Sequence, residues 1–345
     1  MDELSRLIER LRAYSGKPLR LMEVCGTHTA EIARSGIPKL LPDEIRLVSG
    51  PGCPVCVTVT SYIDRLIDLS FEEHVTVASF GDLFRVPGSR LSLSGAKAGG
   101  GRVEMVYSPF QLLKMAQENP QRQYVFAAVG FETTIPVYAE LIRIAHKEGV
   151  RNLRLLTSLK TMPPVIRWVC GHQKNIDGFL APGHVCVVDG TTQYEELAAE
   201  FQVPFIVSGF QAEELLASIY ALVRLQGKGV CRNFYPSAVK PEGNLAAKER
   251  IYSIFEPCDA AWRGIGRIPG SGMQLREEFW EFDAGSQGLY EDQGKNSACQ
   301  CAKVLLGQIS PRECPLFAGE CTPATPQGAC MVSMEGSCYH SFQSR

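Results

Sequence analysis

The sequence lacks a dominant charge. Its 35 Lys and Arg against 37 Asp and Glu leave a formal −2 over 345 residues, so no basic footprint points to nucleic acid. It lacks any apolar stretch near the about 20 residues that a membrane-spanning helix needs. No low-complexity run or internal repeat is visible, which sets aside fibres and solenoids. Gly-x-x-x-x-Gly-Lys-Ser/Thr is absent, and Gly99-Gly100-Gly101 reads as a flexible loop, so nucleotide binding has no motif behind it. Residues 1–12 read as an amphipathic charged helix without the unbroken apolar core of a signal peptide. The expected location is the cytoplasm.

What the chain does have is cysteine, thirteen of them. In a secreted scaffold they would be disulfides; in a reducing compartment clustered thiols bind metal or exchange electrons, and isolated ones are small buried hydrophobes. Cys299, Cys301, Cys314, Cys321, Cys330 and Cys338 crowd the last 47 residues. Cys25, Cys53 and Cys56 sit near the start, with Cys170, Cys186, Cys231 and Cys258 scattered between.

Short apolar runs at 19–24, 45–49, 75–80, 103–107, 124–129, 153–159, 178–180 and 205–209 read as strands. Helical patterns fall between them at 61–70, 109–117, 135–148, 192–200 and 212–225. Alternation of this kind predicts an α/β fold with parallel sheets covered on both faces. A break at Asn119-Pro120-Gln121 suggests two similar α/β/α domains, 1–118 and 119–235. Beyond about residue 235 glycine, proline and cysteine rise and strands become hard to find. That segment, 236–345, reads as a loop- and helix-rich C-terminal domain that needs a staple.

Three constellations carry chemistry. In the tail, Cys299, Cys314, Cys321 and Cys338 are separated by 14, 6 and 16 residues. Four thiolates suit zinc or an iron–sulfur cluster. Zinc knuckles favour tight Cys-x-x-Cys pairs, which the tail lacks; wide spacing on loops fits a cubane better, although spacing alone does not decide the metal. The second constellation is Ser49-Gly50-Pro51-Gly52-Cys53-Pro54-Val55-Cys56-Val57. Read as a strand-to-helix turn, it places Cys53 and Cys56 at a helix N-terminus, where a thiolate is stabilised for disulfide exchange; a metal half-site is the competing reading. Third, Cys25-Gly26-Thr27-His28 follows a strand, at the edge where parallel sheets bind ligands. Thiol and imidazole there can share a metal, or the imidazole can activate the thiol. Glu132, after one strand, and His184, after another, are further candidates for the same cleft. An ordinary helix-start acid and a satisfied buried histidine are the plainer alternatives.

Taken together, EVCGTHT at 23–29, GPGCPVCVT at 50–58, GFETT at 130–134, IDGFLAPGHV at 176–185, VKPEGN at 239–244, WRGIGRIPGS at 262–271 and the cysteines from Cys314 to Cys338 resemble the HypD family of maturation factors for nickel–iron hydrogenases. The resemblance implies two α/β domains plus a third holding a [4Fe–4S] cluster. It implies a scaffold that works with a HypC-type small partner. On that complex one iron receives two cyanides and one carbon monoxide, with cyanide delivered by a HypE–HypF pair. Carried over by position, Cys25 becomes the iron-contacting thiol with His28 beside it. Cys53 and Cys56 become an exchangeable dithiol, and Cys299, Cys314, Cys321 and Cys338 the cluster ligands. Electrons for ligand attachment are then expected to pass from the cluster through the dithiol to the Cys25 site. Gln211 and Ala212 stand where the family pattern has Glu and Pro, and Leu159 where it has His; Cys170 and Cys186 are additions. A general thiol–disulfide oxidoreductase carrying a cluster is the alternative, but it leaves Cys25 and His28 without a task.

Overall fold

The computed structural model describes residues 3–294 and 296–344. Met1 and Asp2 of the expected N-terminal helix lie outside them; the helix itself runs Glu3–Arg12. All eight expected strands form: β1 Leu19–Glu23, β2 Ile45–Ser49, β3 Val75–Ser79, β4 Val103–Met105, β5 Gln123–Gly130, β6 Leu153–Lys160, β7 Gly178–Ala181 and β8 Phe205–Val207. Three more appear: β9 Cys231–Asn233, β10 Phe255–Trp262 and β11 Gly266–Leu275. The fold is α/β, as expected, with helices between parallel strands.

The strands do not sort into sheets at Asn119-Pro120-Gln121. The first sheet has the order β2-β1-β7-β8-β9 and is parallel throughout; the second has the order β10-β11-β6-β5-β3-β4. The chain lays down β1 and β2, crosses to build β3 to β6, returns for β7 to β9, and crosses again for the last hairpin. The break at 119–121 falls inside the second sheet, between the helix Pro109–Glu118 and β5. Alternating apolar runs reveal that strands exist; which strands pair is decided by long-range packing that no local pattern records.

The segment after 235 is not strand-free. β10 and β11 pair antiparallel over a register from Phe255–Leu275 to Trp262–Gly266, with a bulge between Cys258 and Ala260, and β11 adds to β6 through Gly272 and Met273. Pro257 is tolerated because β10 is the edge strand, and Pro269 lies outside the residues of β11 that pair with β6. Phe255, Trp262, Met273 and Leu275 are buried beneath the hairpin and hold it down.

One of the apolar clusters runs from the first sheet through the second into the tail, joining Met22, Val24, Val57, Phe131, Trp262, Val304, Met331 and Cys330. The tail is therefore packed onto both sheets, with short helices at Cys301–Leu305 and Ser337–Gln343. Among the described residues no helix is long and apolar enough to cross a membrane.

Candidate functional site

The chemistry-bearing turns sit at the carboxyl ends of parallel strands. Cys25 follows β1, the Cys53–Cys56 loop follows β2, His184 follows β7 and Phe210 follows β8. Because β2, β1, β7 and β8 are adjacent, these four turns meet along one edge.

Cys25 caps the helix Gly26–Arg34 with an extended backbone, φ −145° and ψ 121°. The backbone N–H groups of Thr27 and His28 point at its sulfur, so the helix N-terminus expected at Cys53 lies here instead. Cys25 is 7% exposed, and that burial pushes its thiol up to about 12 against the pull of the two N–H groups. A cation replacing the proton would find a thiolate already aligned with N–H donors and the positive end of the helix.

The Cys53–Cys56 loop is clamped against this turn. Gly26 N–H donates to Gly52 O at 2.9 Å. A Cβ at Gly52 would strike Cys25 N and Val24 C, and Val24 O at 2.7 Å. Gly52→Ala is accordingly expected to cost about 1–3 kcal/mol, the usual range of overpacking, and to speed alkylation of Cys25. Urea unfolding with a wild-type midpoint would show that the loop simply moves aside.

Cys53 and Cys56 are joined as a disulfide with Cα atoms 5.2 Å apart. They lie in a turn over 54–57, and the next helix, Thr60–Phe71, begins four residues beyond Cys56. The helix-terminal stabilisation expected for them is therefore absent; the proline-containing turn supplies one N–H instead, from Cys56 to Cys53 Sγ at 3.1 Å. Both residues are buried, and Ser333 Oγ of the tail lies 3.3 Å from Cys53 Sγ.

His28 is fully buried, with Nε2 3.0 Å from Gly209 O. That carbonyl accepts, so Nε2 carries the proton and Nδ1 keeps its lone pair, with no hydrogen-bond partner. Burial lowers its pKa to about 4, keeping the ring neutral at physiological pH. Phe210 lies between the two histidines, 4.8 Å from the His28 ring and stacked at 3.8 Å on His184. His184 is exposed rather than buried, the outer member of an aromatic column leading down to His28.

Two further carboxylates at the site are not among the candidates read from the sequence. Glu23, the buried last residue of β1, accepts from Cys25 N–H at 3.1 Å and Thr29 Oγ1 at 2.5 Å, and burial raises its pKa to about 7. Glu335 packs so tightly on Gly26 that a Cβ there would meet its Oε2 at 2.6 Å. Its N–H donates to Ser333 Oγ, so one short tail segment touches both the disulfide and the Cys25 turn. The tail reads in sequence as a run of cysteines, which draws attention away from the residues between them.

Glu132 is not brought to Cys25. Its Oε1 accepts from Met162 N–H at 2.6 Å, and with Asp189 it lines a separate cavity.

Five of the six tail thiols, all but Cys314, gather. Cys299 and Cys301 sulfurs are 3.4 Å apart; Cys301 also hydrogen-bonds Cys330, which in turn bonds Cys338, and Cys321 lies close enough to feel Cys301 and Cys338. The neighbouring thiols of Cys299 and Cys330 hold Cys301 well below the usual thiol range, with burial opposing them and the Arg263 guanidinium assisting. Arg263 is itself buried and donates from Nε to Thr58 O at 2.7 Å, linking the tail to the disulfide loop. A Cβ at Gly328 would collide with Cys301 Sγ and lie 3.0 Å from Cys299 Sγ, so glycine leaves the sulfurs their space. Cys314 ends the turn Pro311–Glu313. Among the described residues no three Cys, His, Asp or Glu side chains converge as a finished metal site. The donor set, soft thiols packed around a glycine, nonetheless fits iron–sulfur or zinc chemistry. The scattered cysteines are set apart by burial, which pushes Cys170 and Cys231 up to about 12 and Cys258 up to about 11.

Residues 2–345 match the family model "HypD: Hydrogenase formation hypA family". The chain is 41% identical to the hydrogenase maturation factor HypD of Azotobacter vinelandii, over 92% of this chain and 87% of the relative. It is 40% identical to HypD of Escherichia coli, over 100% of this chain and 96% of the relative. With HypD of Cupriavidus necator it shares 39% identity over 95% and 90%.

Proposed function

The chain belongs to the HypD family of hydrogenase maturation factors, and on that footing we propose that it is the scaffold on which the iron of a nickel–iron centre receives its diatomic ligands. The cargo is one iron that takes two cyanides and one carbon monoxide, held jointly with a HypC-type small partner in the cytoplasm. A HypE–HypF pair delivers the cyanide. The observation that carries this reading is the Cys25 thiol, buried at a helix N-terminus beside His28 and clamped to a second sulfur centre. Low-spin iron(II) with strong-field ligands favours a soft thiolate donor in a pocket that excludes water and oxygen.

The residues divide the work. Cys25 offers the sulfur, and His28, neutral with a free Nδ1 lone pair, stands one helical turn away. The tail thiols Cys299, Cys314, Cys321 and Cys338 would hold a [4Fe–4S] cluster, which when bound supplies one-electron reducing equivalents. Cys53 and Cys56 form a two-electron couple: the disulfide takes up two electrons and two protons to give two thiols. Both residues are buried, with Cys53 Sγ against Ser333, which suits exchange within the complex and disfavours a general oxidoreductase that must present its disulfide to many proteins.

Anaerobic purification with the HypC-type partner tests the reading. Infrared bands of iron-bound cyanide and carbonyl are expected in the complex, and their absence from a matured preparation would overturn it. In the same assay Cys53→Ala/Cys56→Ala is expected to slow ligand acquisition about tenfold or more, the scale of losing one assisting group. Bands appearing at the wild-type rate would remove the dithiol from the reaction.

A further inference from the structure

Away from Cys25, a buried acid pair has no part in the chemistry described above. Glu132 follows β5 of the second sheet, while Asp189 ends the helix Gly183–Asp189 that follows β7 of the first. Their carboxyl groups lie within hydrogen-bonding reach of each other. Glu132 is 3% exposed, and its Oε2 is buried with no donor in reach other than the Asp189 carboxyl, were that protonated. Both residues line a cavity of about 120 Å³ whose walls include Thr161, Gln193 and Tyr252. Lys248 packs at the rim. Its ammonium donates to the backbone carbonyls of Asp189 at 2.8 Å and Glu242 at 2.9 Å, so its charge favours an ionised Asp189 from the loop side but does not reach Glu132.

Two carboxylates this close and this buried do not both stay ionised unless a cation stands with them. The donors are hard oxygens, which disfavours soft metals. Two carboxylates supplemented by water are a donor set for magnesium, which keeps several waters and rarely uses an all-protein cage. The cavity has room for waters, each claiming about 30 Å³ of liquid. We propose that Glu132 and Asp189 form a binding site for a hydrated divalent cation of the magnesium class, joining the turn after β5 of the second sheet to the end of the helix that follows β7 of the first. The ion would tie the turn after β5 to the helix that carries His184, the outer ring of the column over His28. Its place is structural support of the iron pocket from outside it.

Mn²⁺ titrated into the anaerobically purified full chain, with free Mn²⁺ read by electron paramagnetic resonance, tests this. One Mn²⁺ per chain is expected, displaced by Mg²⁺, with Asp189→Asn and Glu132→Gln each weakening binding about tenfold or more. No saturable binding, a site that both variants keep, or one that Mg²⁺ does not displace would overturn the proposal and leave the pair sharing a proton. Should either variant fail to fold, the wild-type melt decides. Millimolar Mg²⁺ is expected to raise Tm by about 2–4 °C, and an unchanged Tm counts against the site.

Discussion

Replacing Cys25 by serine is expected to abolish capture of the ligated iron while leaving fold and tail iron intact. The side chain is almost isosteric and 7% exposed, so the stability change should stay within about 1 kcal/mol. The donor changes completely. Serine offers a hard hydroxyl whose proton is far harder to displace than a thiol's, and soft iron(II) with cyanide and carbonyl has little affinity for it. The N–H groups of Thr27 and His28 would then be satisfied by the hydroxyl as an ordinary N-cap and would no longer favour a metal-bound thiolate. Infrared bands of the partner complex should fall by about 100-fold or more, a loss of roughly 3 kcal/mol in holding the cargo. Iron bound to the tail should remain, because no tail thiol contacts Cys25 through the hydrogen bonds that order the site. Bands persisting at a tenth of wild type would place the iron elsewhere, on His28 or on the partner alone.

Much of this site was legible in the sequence because its residues sit where strands end. β1, β2, β7 and β8 were readable from apolar runs, and Cys25, Cys53 and His184 each follow one of them within a few residues. Pairing was not legible. Nothing local says that β7 lies against β1, some 155 residues earlier, and it is that pairing which brings the turn of His184 to that of Cys25. Nor does local pattern place Glu132 with Asp189 rather than with Cys25. Glu132 follows a strand of one sheet and Asp189 ends a helix that follows a strand of the other, and the cavity they share is a product of packing. The helix N-terminus falls at Cys25 rather than at Cys53 for a related reason. Gly50-Pro51-Gly52 and Pro54 delay helix formation until Thr60, whereas Gly26-Thr27-His28-Thr29 enters a helix at once. The hairpin of β10 and β11 is hidden by Pro257, Pro269 and four glycines, which read as loop; Pro257 is allowed by the edge position of β10 and Pro269 by lying outside the pairing with β6.

Iron content across six single Cys→Ala variants of the tail separates ligands from bystanders. Alanine at Cys299, Cys314, Cys321 or Cys338 is expected to lower tail iron to a few per cent of about four atoms per chain, since a cubane uses four thiolates. Alanine at Cys301 or Cys330 is expected to keep most of it. The two groups are close competitors. Cys301 stands between Cys299 and Cys330, and Cys330 bonds Cys338, so either bystander can approach the cluster if a ligand is lost. Partial retention in Cys299→Ala would therefore mark rescue by Cys301 two residues along the chain, and the Cys299→Ala/Cys301→Ala pair should then remove iron fully. Loss at Cys301 with full retention at Cys299 would instead move the first ligand to Cys301, whose thiol its neighbours already hold toward the thiolate form. Gly328→Ala supplies an independent check, because its methyl would enter the space of both sulfurs without removing either. If the cluster sits among these thiols, that variant should lose iron although all six cysteines remain. If iron stays, the sulfurs meet somewhere other than around Gly328.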